Sequence, residues 1–313
     1  MKKQFVKDLK PGVPVKSIFI VAETEKALTK GKKVYISLIL ADKTGRIYGK
    51  IWDNATELDK LFKKGDIIEI SGDITTYKGT PQIRVETLRK CNEEEIDSAD
   101  FLPVTEKDRD VLLKNFLEIA ESIQNPYFKS LLKNIFANGR IIDGIKNAPA
   151  SVSIHHSYVG GLLEHTLNVV KICETVISMY PTVDRDLLIT GALLHDIGKI
   201  EEYNYSKIIE HTDSGKLLGH IALEMAFISK EIEKIQPFPD NLKIDLLHLI
   251  LSHHGEREFG SPQIPCTVEA AVLAYADLLD SKVESFIEVA NNSEENWSGY
   301  ISFLGRKIFK RHE

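Results

Sequence analysis

Imidazole and carboxylate groups crowd one stretch of this chain. All ten histidines lie at or beyond position 155, and nine of them fall between His155 and His254. Five places in and just beyond that stretch read as a ligand set: His165, the adjacent His195 and Asp196, His220, the adjacent His253 and His254, and Asp277. Imidazole and carboxylate together suit borderline to hard divalent ions, with Mn2+ first and Fe, Co, Zn or Mg as the other fits, better than a thiolate-loving site would. The adjacency of His195 and Asp196 has a specific use. Two metal ions about 3.5–4 Å apart need a bridging carboxylate, and an Asp whose neighbour binds one ion is well placed to be it. Water bridging two such ions has a depressed pKa and serves as a nucleophile near neutral pH.

Plainer readings compete at some positions. A lone His in an apolar helix is more often a hydrogen-bonded core residue than a ligand, which is the reading for His248, and His312 reads as surface. The run Leu193-Leu194-His195-Asp196-Ile197 resists that reading. It places two polar groups in an apolar segment, which is costly unless partners are supplied. Spacing does not choose between His253 and His254, and Asp280 competes with Asp277.

These positions fall in or at the ends of different helices. Apolar periodicity predicts helices over 157–180, halted by Pro181, over 184–197, closed by Gly198, and over 219–235, before Pro237. Two more follow, over 240–254, stopped by Gly255, and over 267–290. A helical pair over 105–123 and 126–137 precedes them, the second with Asn125 as N-cap and Pro126 in its first position.

The first ninety residues read differently. Segments 15–23, 33–42, 46–52, 67–77 and 81–89 are rich in Val, Ile and aromatics and read as strands, with a helix over 55–64 capped by Asn54 and stopped by Gly65. Three strands, a helix and two strands is the order of a five-stranded OB barrel. Such barrels hold single strands on aromatic platforms beside a basic groove. The candidates are Phe19, Tyr35, Tyr48, Trp52 and Tyr77, interleaved with Lys32, Lys33, Arg46, Lys50, Lys78 and Arg84. Alternation from Arg46 to Trp52 puts Arg46, Tyr48, Lys50 and Trp52 on one face and Ile47 and Ile51 on the other. For any single aromatic here, a place in the core is the competing reading.

Charge divides the chain in the same place. Residues 1–90 hold 19 Lys and Arg against 11 Asp and Glu, a balance of +8, while residues 91–313 hold 21 against 35, a balance of −14. A basic module joined to an acidic one suggests a polyanion-binding part and a part with another task. With 43% hydrophobic and 27% charged residues the composition is that of a folded globular protein. No apolar run reaches the length of a bilayer span, so no membrane is expected. Cys91, Cys173 and Cys266 form no CxxC pattern, which fits a reducing cytoplasm.

The order of these groups, with His195-Asp196-Ile-Gly-Lys199 at its centre, resembles the HD superfamily of metal-dependent phosphohydrolases from about residue 155 to 290. The resemblance implies His165, His195, Asp196, His220 and Asp277 as metal ligands, His253 or His254 at a second ion, and Lys199 near the scissile phosphate. The competing reading of Lys199 is a helix-terminal charge beside Gly198. With both halves considered, the string His155-His156-Ser-Tyr158-Val-Gly-Gly-Leu-Leu-Glu-His165-Thr166 after a barrel resembles the YhaM family of bacterial 3′→5′ exoribonucleases. That resemblance alone implies the polarity of attack and the preference for RNA.

The expectation is a β and α multidomain chain: an OB-fold domain over 1–90, a linker over 91–104, a helical connector over 105–150, and an all-α HD domain over 151–313. It would hydrolyse single-stranded RNA, with single-stranded DNA as a second candidate substrate, to nucleoside 5′-monophosphates by a two-metal hydroxide mechanism. Asp196 and Lys199 would be catalytic, and His156, Lys199, His211 and Lys282 would meet the substrate. A hydrolase of free nucleotides or cyclic dinucleotides and a non-enzymatic RNA-binding adaptor remain the rival readings, and self-association is left open.

Overall fold

A computed structural model describes the chain except for Met1, Lys3, Lys30, Lys78, Ser98, Ala99, residues 153–155, Lys207, Asn292, Glu294, His312 and Glu313, and except for the side chain of Glu93. His155, Lys78 and His312, singled out above, therefore lie outside the described residues. Contacts divide the chain into two units, one of Met1–Val104 with Asn204–Ile209, the other of Thr105–Tyr203 with Glu210–Glu313.

In the first unit, β1 (Pro14–Leu28), β2 (Val34–Asp42), β3 (Gly45–Ile51), β4 (Ile67–Tyr77) and β5 (Thr80–Lys90) close into a barrel of order β1-β2-β3-β5-β4. The β3–β5 pair is parallel and seals the barrel, and the other pairs are antiparallel. This is the expected OB fold. Alternation fills its interior with Val15, Val21, Leu38, Ile51, Ile70, Ile83 and their neighbours. Phe19 corrects the sequence reading: it is fully buried in this core, because its β1 position faces inward with Val15 and Val21. The expected helix over 55–64 is shorter, an α1 of one turn (Ala55–Leu58) followed by a 3-10 turn over Asp59–Leu61. Asn54 makes no side-chain cap and sits at φ +52, and Phe62 ends the turn in extended backbone with its ring buried. A second apolar cluster covers one outer face, where Cys91, Ile96, Phe101 and Ile208 pack on Ile20, Ala22, Ala41 and Ile67.

The second unit is helical: α2 (Arg109–Glu121), α3 (Pro126–Phe136), α4 (Gly139–Asn147), α5 (Gly161–Met179), α6 (Arg185–Leu194), α7 (Lys199–Glu202), α8 (Asp213–Glu233), α9 (Asp240–Ser252) and α10 (Val268–Asn291). Short strands β6 (Tyr203–Asn204) and β7 (Glu210–His211) pair between α7 and α8. Side-chain oxygens cap the starts of several helices: Asp108 for α2, Asn125 for α3, Asn138 for α4, Asp184 for α6 and Thr212 for α8. Helix α4 was not expected; two glycines in nine residues mask its short apolar face. Helix α8 starts six residues before the expected position, and Gly219, expected to open it, instead breaks it with φ +72. Among the described residues no helix is long and apolar enough to cross a membrane.

The two classes of barrel aromatic differ in consequence. Phe19→Ala, which empties a fully buried site, is expected to cost about 3–5 kcal/mol. Tyr48→Ala, on a ring that is 50% exposed, is expected to stay within about 0.5 kcal/mol of the parent. Urea-unfolding midpoints of the two variants check this.

Candidate metal centre

Asp196 is buried and follows His195, the C-cap of α6. Its Oδ2 is 3.4 Å from Nε2 of both His165 and His195, and its Oδ1 is 3.6 Å from Nε2 of His220 and 3.8 Å from Nε2 of His253. Asp277 Oδ1 is 3.2 Å from His165 Nε2. The donor atoms fall into three groups whose members lie within 4.8 Å of one another: His165, His195 and Asp277; Asp196, His220, His253 and His254; and, on the other side of the His165 ring, His156, His165 and Asp280. Both His253 and His254 thus reach the second group.

Four of the imidazoles are held from behind by a hydrogen bond through Nδ1. His165 donates to Asp280 at 2.7 Å, His195 to the Ala192 carbonyl at 2.8 Å, His253 to the Ile250 carbonyl at 2.7 Å and His254 to the Phe259 carbonyl at 3.0 Å. His220 Nδ1 lies 3.1 Å from Glu202 Oε2. These partners assign the proton to Nδ1 and turn the Nε2 lone pair inward, the arrangement metal-ligating histidines adopt. Three inward atoms, Asp196 Oδ1, His220 Nε2 and His253 Nε2, are buried without a hydrogen-bond partner. Leaving such groups unpaired costs about 1–3 kcal/mol each, and divalent ions would satisfy all three at once. The donor set fits them.

The helices deliver these groups at close quarters. His165 comes from α5, His195 caps the C-terminus of α6, His220 follows the break at Gly219, His253 caps α9, and Asp277 and Asp280 lie one turn apart on α10. Gly198 explains its own place in the motif: a Cβ there would lie 2.2 Å from the His220 carbonyl oxygen. Only glycine admits α8 so near.

Electrostatics favours a cation in this cavity. Burial opposes charge on His165, yet Asp196, Asp277 and Asp280 outweigh it and raise its pKa well above the usual value. Burial likewise opposes ionisation of Asp196, but Lys199 and His195 hold its carboxyl well below the usual range. Burial lowers His195, His253 and His254, keeping them in the neutral form that ligation requires. The Lys199 ammonium lies 2.6 Å from Asp196 Oδ2 and is itself buried.

Other expected residues sit differently. His156, expected at the substrate, is buried behind the cluster, its ring nitrogens meeting the Tyr158 hydroxyl at 2.6 Å and Asp280 at 3.0 Å. His211 is exposed, 3.9 Å from Glu202. Lys282 is exposed on α10, and among the described residues no contact joins it to the cluster. His248 accepts from the Cys266 amide at 2.9 Å, as a structural histidine does. Sequence reasoning missed Glu202, Glu224 and the role of Asp280. Glu224 is fully buried, its pKa raised well above normal by burial and by Asp196, and its Oε2 accepts from the Gly198 amide at 3.3 Å. Its signal was its place four residues after His220, on the same helical face.

On the barrel, Tyr35 and Trp52 stack with centroids 4.7 Å apart, and Lys50 Nζ lies 5.2 Å from the Tyr35 ring. Register sets Lys50 beside the exposed Arg84. Arg46 and Tyr48 are exposed on the same strand, and Tyr77 is 61% exposed at the end of β4.

Residues 162–282 match the family model of the HD domain, and residues 20–90 that of the OB-fold nucleic acid binding domain. Similar solved structures include the second OB-fold domain of replication protein A from Methanococcus maripaludis, with 26% identity over 30% of this chain and 97% of that one, TM-score 0.25. A crystal structure of a domain of replication protein A from the same organism shares 30% identity over 28% and 92% of the two chains, TM-score 0.25. The single-stranded DNA binding protein of Thermus aquaticus shares 14% over 26% and 40%, TM-score 0.24. The HD match indicates a metal-dependent phosphohydrolase.

Loss of a supporting carboxylate should weaken metal binding. Asp280→Ala removes the acceptor behind His165 and is expected to lower Mn2+ affinity about 10–100-fold. Calorimetric titration of the metal-stripped protein reads this directly, and parent-like affinity would remove Asp280 from the support of the site.

Proposed function

We propose that this protein is a metal-dependent 3′→5′ exoribonuclease that hydrolyses single-stranded RNA to nucleoside 5′-monophosphates, with single-stranded DNA as a weaker substrate. The observation that carries this reading is the position of Asp196, which offers one oxygen to His165 and His195 and the other to His220 and His253. His165, His195, Asp196 and Asp277 would hold one divalent ion, and Asp196, His220, His253 and His254 a second, with Mn2+ the expected metal. Such ions supply an acidified water and stabilise charge developing on phosphoryl oxygens. Ionised Asp196 and Asp277 set the negative charge of the site, and neutral His195, His253 and His254 keep their lone pairs available. Lys199, charged and fixed on Asp196, offers a cation beside the phosphate to be cleaved.

The OB-fold match and the Tyr35–Trp52 stack with Lys50 and Arg84 support a single strand as the substrate: bases stack on the rings and phosphates meet the cations. Polarity and RNA preference follow from the resemblance of the string 155–166, placed after a barrel, to the YhaM family.

With Mn2+ and 5′-labelled single-stranded RNA, the protein is expected to shorten the strand from its 3′ end and release 5′-mononucleotides. Chelation of the metal should stop the reaction, and Asp196→Ala should reduce it about 10³-fold or more, on the scale of lost electrostatic preorganisation. Full activity of that variant, or turnover of free nucleotides without RNA cleavage, would overturn the reading.

A further inference from the structure

The chain beyond α10 presents aromatic and cationic side chains that the metal centre does not use. Bridges between Trp297 and Phe309 and between Ile301 and Arg306 fold this segment back on itself. The Ser298 amide donates to the Ile308 carbonyl, and the Ile308 amide to the Ser298 hydroxyl, both at 2.9 Å. Leu304 and Ile308 are buried and anchor it. Its aromatic rings are not: Trp297 is 56%, Tyr300 67% and Phe309 47% exposed, with the Trp297 and Phe309 centroids 5.0 Å apart.

Charge here runs against its surroundings. From Asn296 to Arg311 there are four cations, Arg306, Lys307, Lys310 and Arg311, and no Asp or Glu, in a half whose net charge is −14. Among the described residues none of the four is paired with a carboxylate. Exposed rings interleaved with cations form a surface for a strand that offers both bases and phosphates. A two-fold contact with a second copy would instead set these cations against their own equivalents.

We propose that residues 296–311 form a second single-strand binding surface, separate from the barrel, that holds RNA by stacking on Trp297, Tyr300 and Phe309 and by phosphate contacts to the four cations. The identity of the strand rests on the function proposed above.

The test is fluorescence anisotropy of labelled oligouridylate, 15 nucleotides long, with the full-length protein in the presence of chelator. Tyr300→Ala is expected to weaken 15-mer binding roughly tenfold. Replacing Lys307, Lys310 and Arg311 together with Gln is expected to flatten the log–log salt dependence by about two. Unchanged melting temperatures show that both variants fold. Parent-like 15-mer affinity and salt dependence in both folded variants would overturn the proposal. So would unchanged RNA binding combined with loss of binding to phosphatidylglycerol vesicles, or with a lower molar mass in light scattering, since the surface would then serve a membrane or a second copy. No step of this measurement requires hydrolysis. An inactive parent would therefore sink the nuclease reading and leave this one standing, and parent-like binding by the variants would do the reverse.

Discussion

Asp196 and the imidazoles around it are buried where water cannot solvate them, so their charge and lone pairs must be met from within the fold. A buried carboxylate is tolerable only when cations or donors surround it. Lys199 answers one of its oxygens at 2.6 Å, while the other is left facing two imidazole lone pairs with no donor between them. That deficit is local and directional. It asks for a positive group at one place, and the surrounding helices are arranged to present lone pairs to that place.

Presentation requires rigidity, and the backing groups provide it. An imidazole can turn about its side-chain bonds until Nδ1 is fixed. Three of the five rings are fixed by carbonyls in their own helix ends or the adjoining loop, at Ala192, Ile250 and Phe259, and one by the Asp280 carboxylate, while His220 faces the Glu202 carboxylate as an ion-pair neighbour. The carbonyls come without extra sequence, because a C-cap histidine lies within reach of the helix's last unsatisfied oxygens. The carboxylates do not, and they must be buried in turn. Asp280 is steadied by His156 and by Asn168 at 2.9 Å. His156, which read as a substrate contact, belongs to this supporting layer.

The legibility of these features follows from how local each cause is. Alternation in β3 and the strand–helix–strand order are local patterns, and the barrel was readable from them. Phe19 was not, because a strand aromatic reads alike whether it faces the core or the solvent. The clash between His195-Asp196 and the apolar residues around it is also local, and it marked the centre. Glu202 and Glu224 escaped because a lone glutamate on a helix looks like surface, and only the fold shows that both are buried against His220, Gly198 and Asp196. Helix α4 escaped for the opposite reason, its two glycines signalling a turn where tertiary packing holds Ile141 and Ile145 in place.

An acidic half with a carboxylate at its centre poses a problem for a nuclease, since its substrate is a polyanion. At physiological salt, charges interact over about 8 Å, so a net charge of −14 spread over residues 91–313 repels a strand along most of that half. Attraction must then come from places where cations outnumber acids. The barrel, with its balance of +8, is one such place, and the segment from Asn296 to Arg311 is another. Both pair cations with exposed rings, and stacking is the contribution that salt does not screen. Retention of the strand by surfaces outside the catalytic cavity leaves the cavity free to use its negative charge for holding metal. The asymmetry of charge along the chain is then a consequence of assigning the two tasks to different residues.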